Sequence, residues 1–268
     1  MPKYALLGAT GQVGRSVLKV LLESATSTGT KKQINVLVRS RSKFEKQLQT
    51  DDFKSLDHSA IETFEAADVS DVEILARCIR GTRAVFMCVA LAKNMPGCTI
   101  AQDQAKAVIG ALHKLREDDG AGKLPRLVIL SSAEAEVEPH FSKGIPWPVR
   151  PILYAANSNL YNDLIAAERY LREHQDWVNF CIVKSGGLSW DIARGHEVRF
   201  DKQQTFISFA DLAGGMLEIA DEESDKYDGK NLSVVSSGGG AKVEYSSGPL
   251  LLRGLMVHCF PALYSWVY

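Results

Sequence analysis

The sequence predicts an α/β fold in a single domain, built on a doubly wound parallel sheet with a small C-terminal part. Three observations predict it. Apolar, strand-like runs alternate with helical patterns along most of the chain, and a glycine-rich turn joins the first such strand to the first helix. A length of 268 residues with 46% hydrophobic residues is enough for one large core.

The first strand and the turn after it carry the most specific pattern. Residues 4–7 are apolar, and the glycine-rich segment 8–14 follows them directly. Glycines at such a turn allow positive φ and let backbone N–H groups approach a pyrophosphate at the helix N-terminus. The spacing Gly-x-x-Gly-x-x-Gly also fits an ordinary tight turn, but its position favours a dinucleotide site. The expected cofactor contacts in this turn are Gly8, Thr10, Gly11, Gln12, Val13 and Gly14.

The first helix and the second strand follow from the apolar spacing. Val13, Val17, Val20 and Leu21 recur at the interval of one buried helix face. Residues 34–38 are nearly all apolar and rich in β-branched side chains, which is typical of a strand covered on both faces of a parallel sheet. The chain therefore begins with a strand, a helix and a second buried strand.

Basic side chains follow the second strand, in the segment Arg39-Ser40-Arg41-Ser42-Lys43. Sites selective for NAD place a carboxylate near this point to bind the ribose 2′-hydroxyl. The guanidinium groups of Arg39 and Arg41 instead suit a 2′-phosphate, so the sequence favours NADP. A solvated basic loop is the alternative interpretation.

The middle of the chain continues the alternation. We expect strands at 62–67, 84–90 and 126–132, and helices at 71–80 and 100–117. Asp68 and Val69 end the third strand, where side chains can flank an adenine ring, although a helix N-cap is the alternative for this pair. Ala90 and Leu91 end the fourth strand at the edge where ligands collect in this architecture.

The second half of the chain completes the sheet. We expect a helix at 157–174, a strand at 178–183, a helix at 209–220 and a strand at 231–235. The sequence predicts a hinge at residues 236–240. The apolar segment 250–268 is expected to bury itself on protein, as core packing, as a dimer contact, or as a lid that presents Phe260, Tyr264 and Trp266 to a substrate. An oligomer is thus possible.

Composition excludes several classes of partner. The net charge of −1 leaves no basic footprint for nucleic acid. The five cysteines include no Cys-x-x-Cys pair and are expected to be reduced, and the first strand begins at once, so a cytoplasmic protein is expected. The sequence has no run of 18 apolar residues, so a membrane span is not expected. The acidic segment with His140 lacks a second ligand pair, so no metal site is expected.

The whole chain resembles the atypical short-chain dehydrogenase/reductases, in particular the NmrA-like, NAD(P)H-binding group with a Rossmann fold. The resemblance rests on the glycine turn, the basic turn at Arg39, Asp68-Val69, the strand end at Ser131-Ser132, and segments 184–188 and 207–213. Within that group, residues 247–254 are similar to fungal averufin-oxidase-type proteins of aromatic polyketide pathways.

The resemblance implies an NADP-dependent oxidoreductase that acts on an aromatic polyketide, quinone or phenolic intermediate of secondary metabolism. Ring-opening or isomerising chemistry is a variant of this expectation. The alternative from the same group is a cofactor-sensing regulator without turnover. Residues 188–268 are expected to contribute the pocket for a small aromatic substrate.

The usual Tyr-x-x-x-Lys pair of this superfamily is absent, because the fourth residue after Tyr161 is Ile165. Two sets of substitutes are open. Tyr161 can act with Ser132 and with Lys184 as a cation from a neighbouring strand end. Alternatively, Asp163 or Glu134 supplies a general base. A tyrosine that only packs on the sheet is the structural alternative for Tyr161.

Overall fold

A central sheet of eight strands organises the molecule, in a computed structural model that describes residues 1–28, 32–68, 70–91, 93–120, 122–136 and 140–268. In chain order its strands are β1 (Lys3–Leu7), β2 (Gln33–Val38), β3 (Ile61–Glu65), β4 (Ala84–Met87), β5 (Arg126–Ser132), β6 (Phe180–Ser185), β8 (His196–Arg199) and β10 (Asn231–Ser236). Two short strands, β7 (Leu188–Ser189) and β9 (Ile207–Ser208), pair with each other beside it.

The strand order within the sheet is β3-β2-β1-β4-β5-β6-β10-β8. All neighbouring strands run parallel except β8, which is antiparallel to β10 at the edge. The order reverses between β1 and β4, and such a reversal opens a crevice at the carboxyl ends of the strands. The expected doubly wound sheet is confirmed.

Helices cover both faces of the sheet. Those of the described residues are α1 (Gln12–Thr28), α2 (Arg41–Leu48), α3 (Val72–Ile79), α4 (Ile100–Asp119), α5 (Val149–Ala156), α6 (Ser158–Arg172), α7 (Phe209–Asp221), α8 (Gly248–Cys259) and α9 (Tyr264–Val267). In β1, Tyr4 and Leu6 pack with α1 and α7, whereas Ala5 and Leu7 pack with α3, α4 and α6. After Lys3 the first strand is apolar, as expected for a strand with both faces buried.

Four elements lie where the sequence predicted neither a helix nor a strand. Helix α2 buries only Phe44 and is otherwise polar, so it lacks the apolar periodicity of a longer helix. Strand β8 is polar because it forms an exposed edge, and α5 and α8 lie in segments read as a loop and an apolar tail. Each of these elements is short or poorly buried, and hydrophobic spacing is a weak signal for such elements.

The C-terminal segment packs on α5 through a narrow contact. A Cβ atom on Gly254 would lie 1.9 Å from the Ala156 carbonyl oxygen, and Val257 is buried beside it. Asn94 donates hydrogen bonds to the carbonyls of Gly254 (3.0 Å) and Ala155 (3.3 Å). Packing within the chain buries only one stripe of this segment, because Leu252, Met256, Phe260 and Trp266 are exposed, so core packing alone does not account for its apolar side chains.

The cysteines and the helix lengths are two further features of the fold. Cys78, Cys88, Cys98 and Cys181 are buried free thiols, whereas Cys259 is exposed at the end of α8. Within the described residues, every helix is too short or too polar to cross a bilayer.

Candidate functional site

The turn between β1 and α1 is closed by two glycines that the protein's own packing requires. Gly8 has φ +92°, and a Cβ there would lie 2.7 Å from the Cys88 carbonyl oxygen. A Cβ on Gly14 would lie 2.1 Å from the Gly8 carbonyl oxygen. These two positions let β1 turn against β4 and let α1 start directly over the turn.

Gly11 has a different environment. Its amide donates to the Gly8 carbonyl (2.9 Å), and its carbonyl accepts from the Arg15 amide (2.8 Å), so it closes the turn and starts α1. A Cβ on Gly11 would meet no described protein atom closer than 3.4 Å. Protein packing alone therefore does not demand glycine here. Because Gly11 lines a cavity, the missing side chain keeps that cavity open.

The cavity lies at the carboxyl ends of β1, β2 and β4 and has a volume of about 440 Å³, within the usual range for small-molecule sites. Seven of the predicted cofactor contacts line it: Gly8, Thr10, Gly11, Arg39, Asp68, Ala90 and Leu91. The other lining residues were not predicted, because tertiary packing and not a local motif brings them to the cavity. They are Leu7, Leu37, Val38, Ala66, Ala67, Cys88, Val89, Ile100 and Asp103.

The other predicted cofactor residues lie beside the cavity. Gln12, Val13 and Gly14 form the first turn of α1, where backbone N–H groups have no acceptor within the helix. The Arg41 amide donates to Glu65 (3.0 Å), and its guanidinium donates to the Thr63 carbonyl (2.7 Å), which holds this side chain on β3. Val69 lies outside the described residues.

Arg39 is the cation at the cavity. It directly follows β2, its side chain is exposed, and it lines the cavity. Among the residues that the structure describes, no carboxylate forms an ion pair with it. Its guanidinium is therefore available to an anionic ligand group.

Three polar side chains meet at the end of β5 and form the Ser132 cluster, which consists of Ser132, Glu134 and Tyr161. The Ser132 hydroxyl donates to a Glu134 carboxylate oxygen at 2.7 Å. The Tyr161 hydroxyl lies close enough to Ser132, Glu134 and Asn157 for their side chains to influence its pKa. The structure thus brings together two candidates from the first predicted catalytic set, Ser132 and Tyr161, and one from the second, Glu134.

Burial sets the protonation of this cluster. Desolvation raises the pKa of Glu134, and the hydrogen bond from Ser132 opposes that shift only in part. Desolvation also raises the pKa of Tyr161, and the nearby charge of Glu134 raises it further. Tyr161 therefore stays a neutral phenol, and Glu134 keeps its proton to a higher pH than an exposed carboxyl.

The Ser132 cluster is adjacent to the cavity. Pairing between β4 and β5 reaches Met87 and Ile129, and Ala90 and Ser132 each lie three residues further along. Because parallel strands advance together, this register places Ser132 about level with the cavity residue Ala90, although Ser132, Glu134 and Tyr161 do not themselves line the cavity.

Lys184 has other partners. Its ammonium donates to both carboxylate oxygens of Glu168 (2.6 and 2.7 Å) and to the Ala135 carbonyl (2.7 Å), and its side chain is only 1% exposed. Glu168 also accepts a hydrogen bond from Ser131. Since an ammonium has three donors, Lys184 is fully occupied and holds the chain next to Glu134.

Asp163 is occupied as well. It accepts from the amides of Ala101 (2.8 Å) and Gln102 (3.1 Å), from the Gln102 side chain (3.0 Å) and from the Cys98 thiol (3.2 Å). Its carboxylate thereby satisfies the first N–H groups of α4, because the Thr99 hydroxyl donates to Asp103 instead.

The acidic segment after β5 also accepts hydrogen bonds from backbone amides. Glu136 accepts hydrogen bonds from the amides of His140 (3.0 Å) and Phe141 (3.1 Å) and so starts the short 3₁₀ helix Phe141–Gly144. The His140 ring contacts the Phe200 carbonyl oxygen at 2.8 Å. In the part of the chain that is described, no three metal-ligating side chains converge.

Sequence reasoning missed Glu168 and Asn157. Glu168 lies four residues after Leu164 on the buried stripe of α6, and a carboxylate on such a stripe indicates a buried partner. Asn157 precedes α6 by one residue and resembles an ordinary cap, so its proximity to Tyr161 could not be read from sequence.

Comparison with known proteins assigns the family. A family model described as NAD(P)H-binding matches residues 8–223. The chain belongs to this NAD(P)H-binding family. It is 43% identical over 268 residues to the oxidoreductase stcQ of Emericella nidulans, covering 100% of this chain and 94% of the relative. It is 41% identical over 266 residues to the oxidoreductase aflX of Aspergillus parasiticus, covering 99% and 95%.

A solved structure shares the fold of this NAD(P)H-binding protein. The anaerobilin reductase ChuY of Escherichia coli superposes with a TM-score of 0.62 at 17% identity, covering 90% of this chain and 100% of ChuY. The expected family, the Rossmann fold and the oxidoreductase class are confirmed by these matches. The chain is an NAD(P)-dependent oxidoreductase.

Proposed function

We propose that this protein uses NADP to reduce or oxidise an aromatic polyketide, quinone or phenolic intermediate, with the Ser132 cluster handling the proton. The observation that carries the proposal is the buried contact of Ser132, Glu134 and Tyr161 beside the glycine-lined cavity. A hydroxyl donor next to a dinucleotide cavity is what reduction of a carbonyl needs.

The residues around the cavity fit a dinucleotide. Gly11 leaves space that protein atoms do not fill, next to the N-terminus of α1, which suits a pyrophosphate. Arg39 suits the 2′-phosphate that distinguishes NADP from NAD. Asp68 lies where the adenine end would rest, and Ala90 and Leu91 lie on the side towards Ser132.

The protein's own residues supply the proton. When bound, the reduced nicotinamide supplies a hydride to a carbonyl or quinone carbon. Tyr161, kept neutral by burial, donates its proton to the substrate oxygen that gains negative charge. When Glu134 is protonated, the 2.7 Å contact with Ser132 runs in the opposite direction, with the Glu134 hydroxyl as donor. Ser132 then returns a proton to Tyr161, and protonated Glu134 returns one to Ser132. Glu134 ends as a carboxylate and is reprotonated from solvent.

In Tyr-x-x-x-Lys catalysis the charged neighbour of the tyrosine is a cation, whereas the ionisable neighbour of Tyr161 is the acid Glu134. A lysine lowers the tyrosine pKa, whereas Glu134 raises the pKa of Tyr161. Lys184 cannot compensate, because its three donors are bound to Glu168 and Ala135. The proposed proton source is therefore the carboxyl group of Glu134, reached through two hydroxyl groups.

An aromatic substrate is supported by the composition of the part after residue 188 and by the family resemblance. Trp190 is exposed and stacks on Phe209 at 4.2 Å between ring centroids, where α7 begins. Such a ring presents a flat apolar surface to a planar ligand. Residues 188–268 are the proposed contributors to the substrate pocket.

The test is NADPH oxidation with a panel of quinones and anthraquinones, beside a binding titration with NADPH. The proposal expects tight NADPH binding and substrate-dependent oxidation with at least one member of the panel. Tight binding with no oxidation across the panel would favour the cofactor-sensing alternative, which the missing Tyr-x-x-x-Lys pair makes the second candidate.

A further inference from the structure

The pair formed by α5 and α8 presents an unusual outer surface. The two helices meet at Gly254 and Val257, and the bond between Ser158 and His258 (2.9 Å) fixes the far end of α8. Many of the side chains that these helices and their flanking segments leave exposed are large and apolar. We use the name α5–α8 face for the large apolar side chains that are exposed on these two helices and on the segments that flank them: Trp147, Val149, Ile152, Leu252, Met256, Phe260, Leu263 and Trp266.

The exposure of this face is too large to be incidental. Trp147 is 86% exposed and Trp266 is 88% exposed, although tryptophan is normally largely buried. Eight large apolar side chains exposed on two touching helices and on the segments before α5 and after α8 are a feature that marks interaction sites.

The charges on the same segments point to the occupant. Residues 140–156 and 245–268 contain no aspartate or glutamate, and their only lysine and arginine residues are Lys143, Arg150 and Arg253. Lys143 and Arg253 are exposed, and no ion pair within the described residues neutralises them. Tryptophan, aliphatic side chains and cations without acids are the composition of surfaces that lie in the headgroup region of anionic membranes.

A second copy of the chain fits this face less well. A symmetric dimer contact places the same surface on both sides, so Lys143 and Arg253 would meet no carboxylate from the partner face. Anionic lipid headgroups supply the missing negative charge, and the acyl boundary accepts the apolar side chains. We propose that the α5–α8 face docks reversibly on an anionic lipid surface.

Docking at this face would hold the functional cavity near the bilayer. Asn94 joins the segment after β4 to α8 through the Gly254 carbonyl and to α6 through the Asn159 amide (2.8 Å). Ala90 and Leu91, which line the cavity, precede Asn94 by a few residues. An apolar substrate dissolved in the membrane would then reach the enzyme without crossing water. The docking itself does not depend on the proposed chemistry.

The experiment measures binding of the full chain to vesicles by sedimentation. One vesicle set is phosphatidylcholine and the other is phosphatidylcholine mixed with phosphatidylserine. The face is tested with the double variant Trp147→Ser/Trp266→Ser and with Arg253→Glu. Matched controls are Ile192→Ser and Lys106→Glu, which change exposed residues outside the face. Far-UV circular dichroism checks that each variant is folded.

The proposal expects binding to the phosphatidylserine mixture that weakens with added salt. Each face variant should lower the vesicle partition coefficient by about tenfold or more, and the controls should leave it unchanged. No binding to either set, equal binding to uncharged vesicles, or equal loss in the controls would overturn it. A molar mass of two chains that only the face variants reduce would assign the face to a dimer instead. NADPH affinity, measured in parallel, tests the cofactor site separately.

Discussion

At the scale of single residues, the three glycines of the first turn lack side chains for different reasons. Gly8 and Gly14 would collide with backbone carbonyls if they carried a Cβ, whereas Gly11 would not. The sequence identified all three as one motif. It could not separate the two glycines that the packing needs from Gly11, because that distinction depends on distances to the backbone carbonyls of Cys88 and Gly8.

Gly11→Val should weaken NADPH binding by more than about tenfold while the protein stays folded, because the new side chain enters the cavity rather than the core. Calorimetric titration and a thermal melt measure the two effects. Gly14→Val is the control and should lower the melting temperature, since its Cβ meets the Gly8 carbonyl. Unchanged affinity in Gly11→Val would place the cofactor outside this cavity.

Arg39→Asp should invert the preference between NADPH and NADH. It replaces a charge-assisted hydrogen bond of about 1.5–3 kcal/mol with repulsion of the 2′-phosphate, which corresponds to a loss of roughly tenfold to 100-fold in NADPH affinity. Dissociation constants for both cofactors measure it. Arg41→Ala is the control, because its guanidinium is held on the Thr63 carbonyl. The same preference in wild type and Arg39→Asp would remove Arg39 from the phosphate site.

The catalytic candidates show how far sequence reasoning extends at this scale. Ser132 and Glu134 are two residues apart, so their contact follows from local geometry. The bonds from Lys184 to Ala135 and from Asp163 to Ala101 join residues on different elements. No local pattern specifies such pairs, because the packing angle of α6 on the sheet decides them.

At the scale of elements, the first N–H groups of α4 are bound by the carboxylate of Asp163, which belongs to α6. Asp163→Ala should lower the free energy of unfolding by about 2–4 kcal/mol, since it leaves buried N–H groups without their charged acceptor. Urea unfolding measures the loss. Asp71→Ala removes an ordinary N-cap from α3 and should cost only about 0.5–2 kcal/mol. Equal costs in the two variants would contradict the assigned role of Asp163.

The Lys184–Glu168 pair fixes α6 to β6 and to the chain after β5. Lys184→Met should lower the free energy of unfolding by about 3–5 kcal/mol, because Glu168 is left buried without its counter-ion. The double variant Lys184→Met/Glu168→Leu should recover much of that loss, as urea unfolding would show. If Lys184→Met is as stable as wild type, the pair does not form as described.

Element prediction succeeded where burial is strong. Strands β1, β2, β5 and β6 are covered on both faces, so their apolar runs were visible in the sequence. Helix α8 was read as an apolar tail because its side chains are apolar on the solvent side too, which erases the amphipathic period.

At the scale of the whole molecule, the site forms because parallel strands end at one edge. The cavity lies where the strand order reverses, between β1 and β4, and the Ser132 cluster lies one strand further, at β5. This arrangement was predictable from the βαβ alternation. The packing of the last helices was not, because it rests on contacts such as that of Gly254 with Ala156.

The pH dependence of turnover reports the proposed proton source. The pKa of Glu134 is raised by burial, so the acid form persists above the usual carboxyl range and is lost as pH rises through the raised pKa. For the reduction reaction, kcat should therefore fall as pH rises through the raised pKa of Glu134, which gives the pH profile a falling limb. Glu134→Gln should lower kcat and remove the limb, whereas Glu173→Gln, on the protein surface, should keep it. An unchanged profile in Glu134→Gln would exclude Glu134 as the source.

The most direct measurement of the central claim is single-turnover oxidation of NADPH by wild type and Tyr161→Phe with the best substrate of the quinone panel. The account predicts that Tyr161→Phe is slower by about 100-fold, because the positioned proton donor is gone, with the NADPH dissociation constant unchanged. Equal rates in the two proteins would contradict the assignment of Tyr161 and the Ser132 cluster to the reaction.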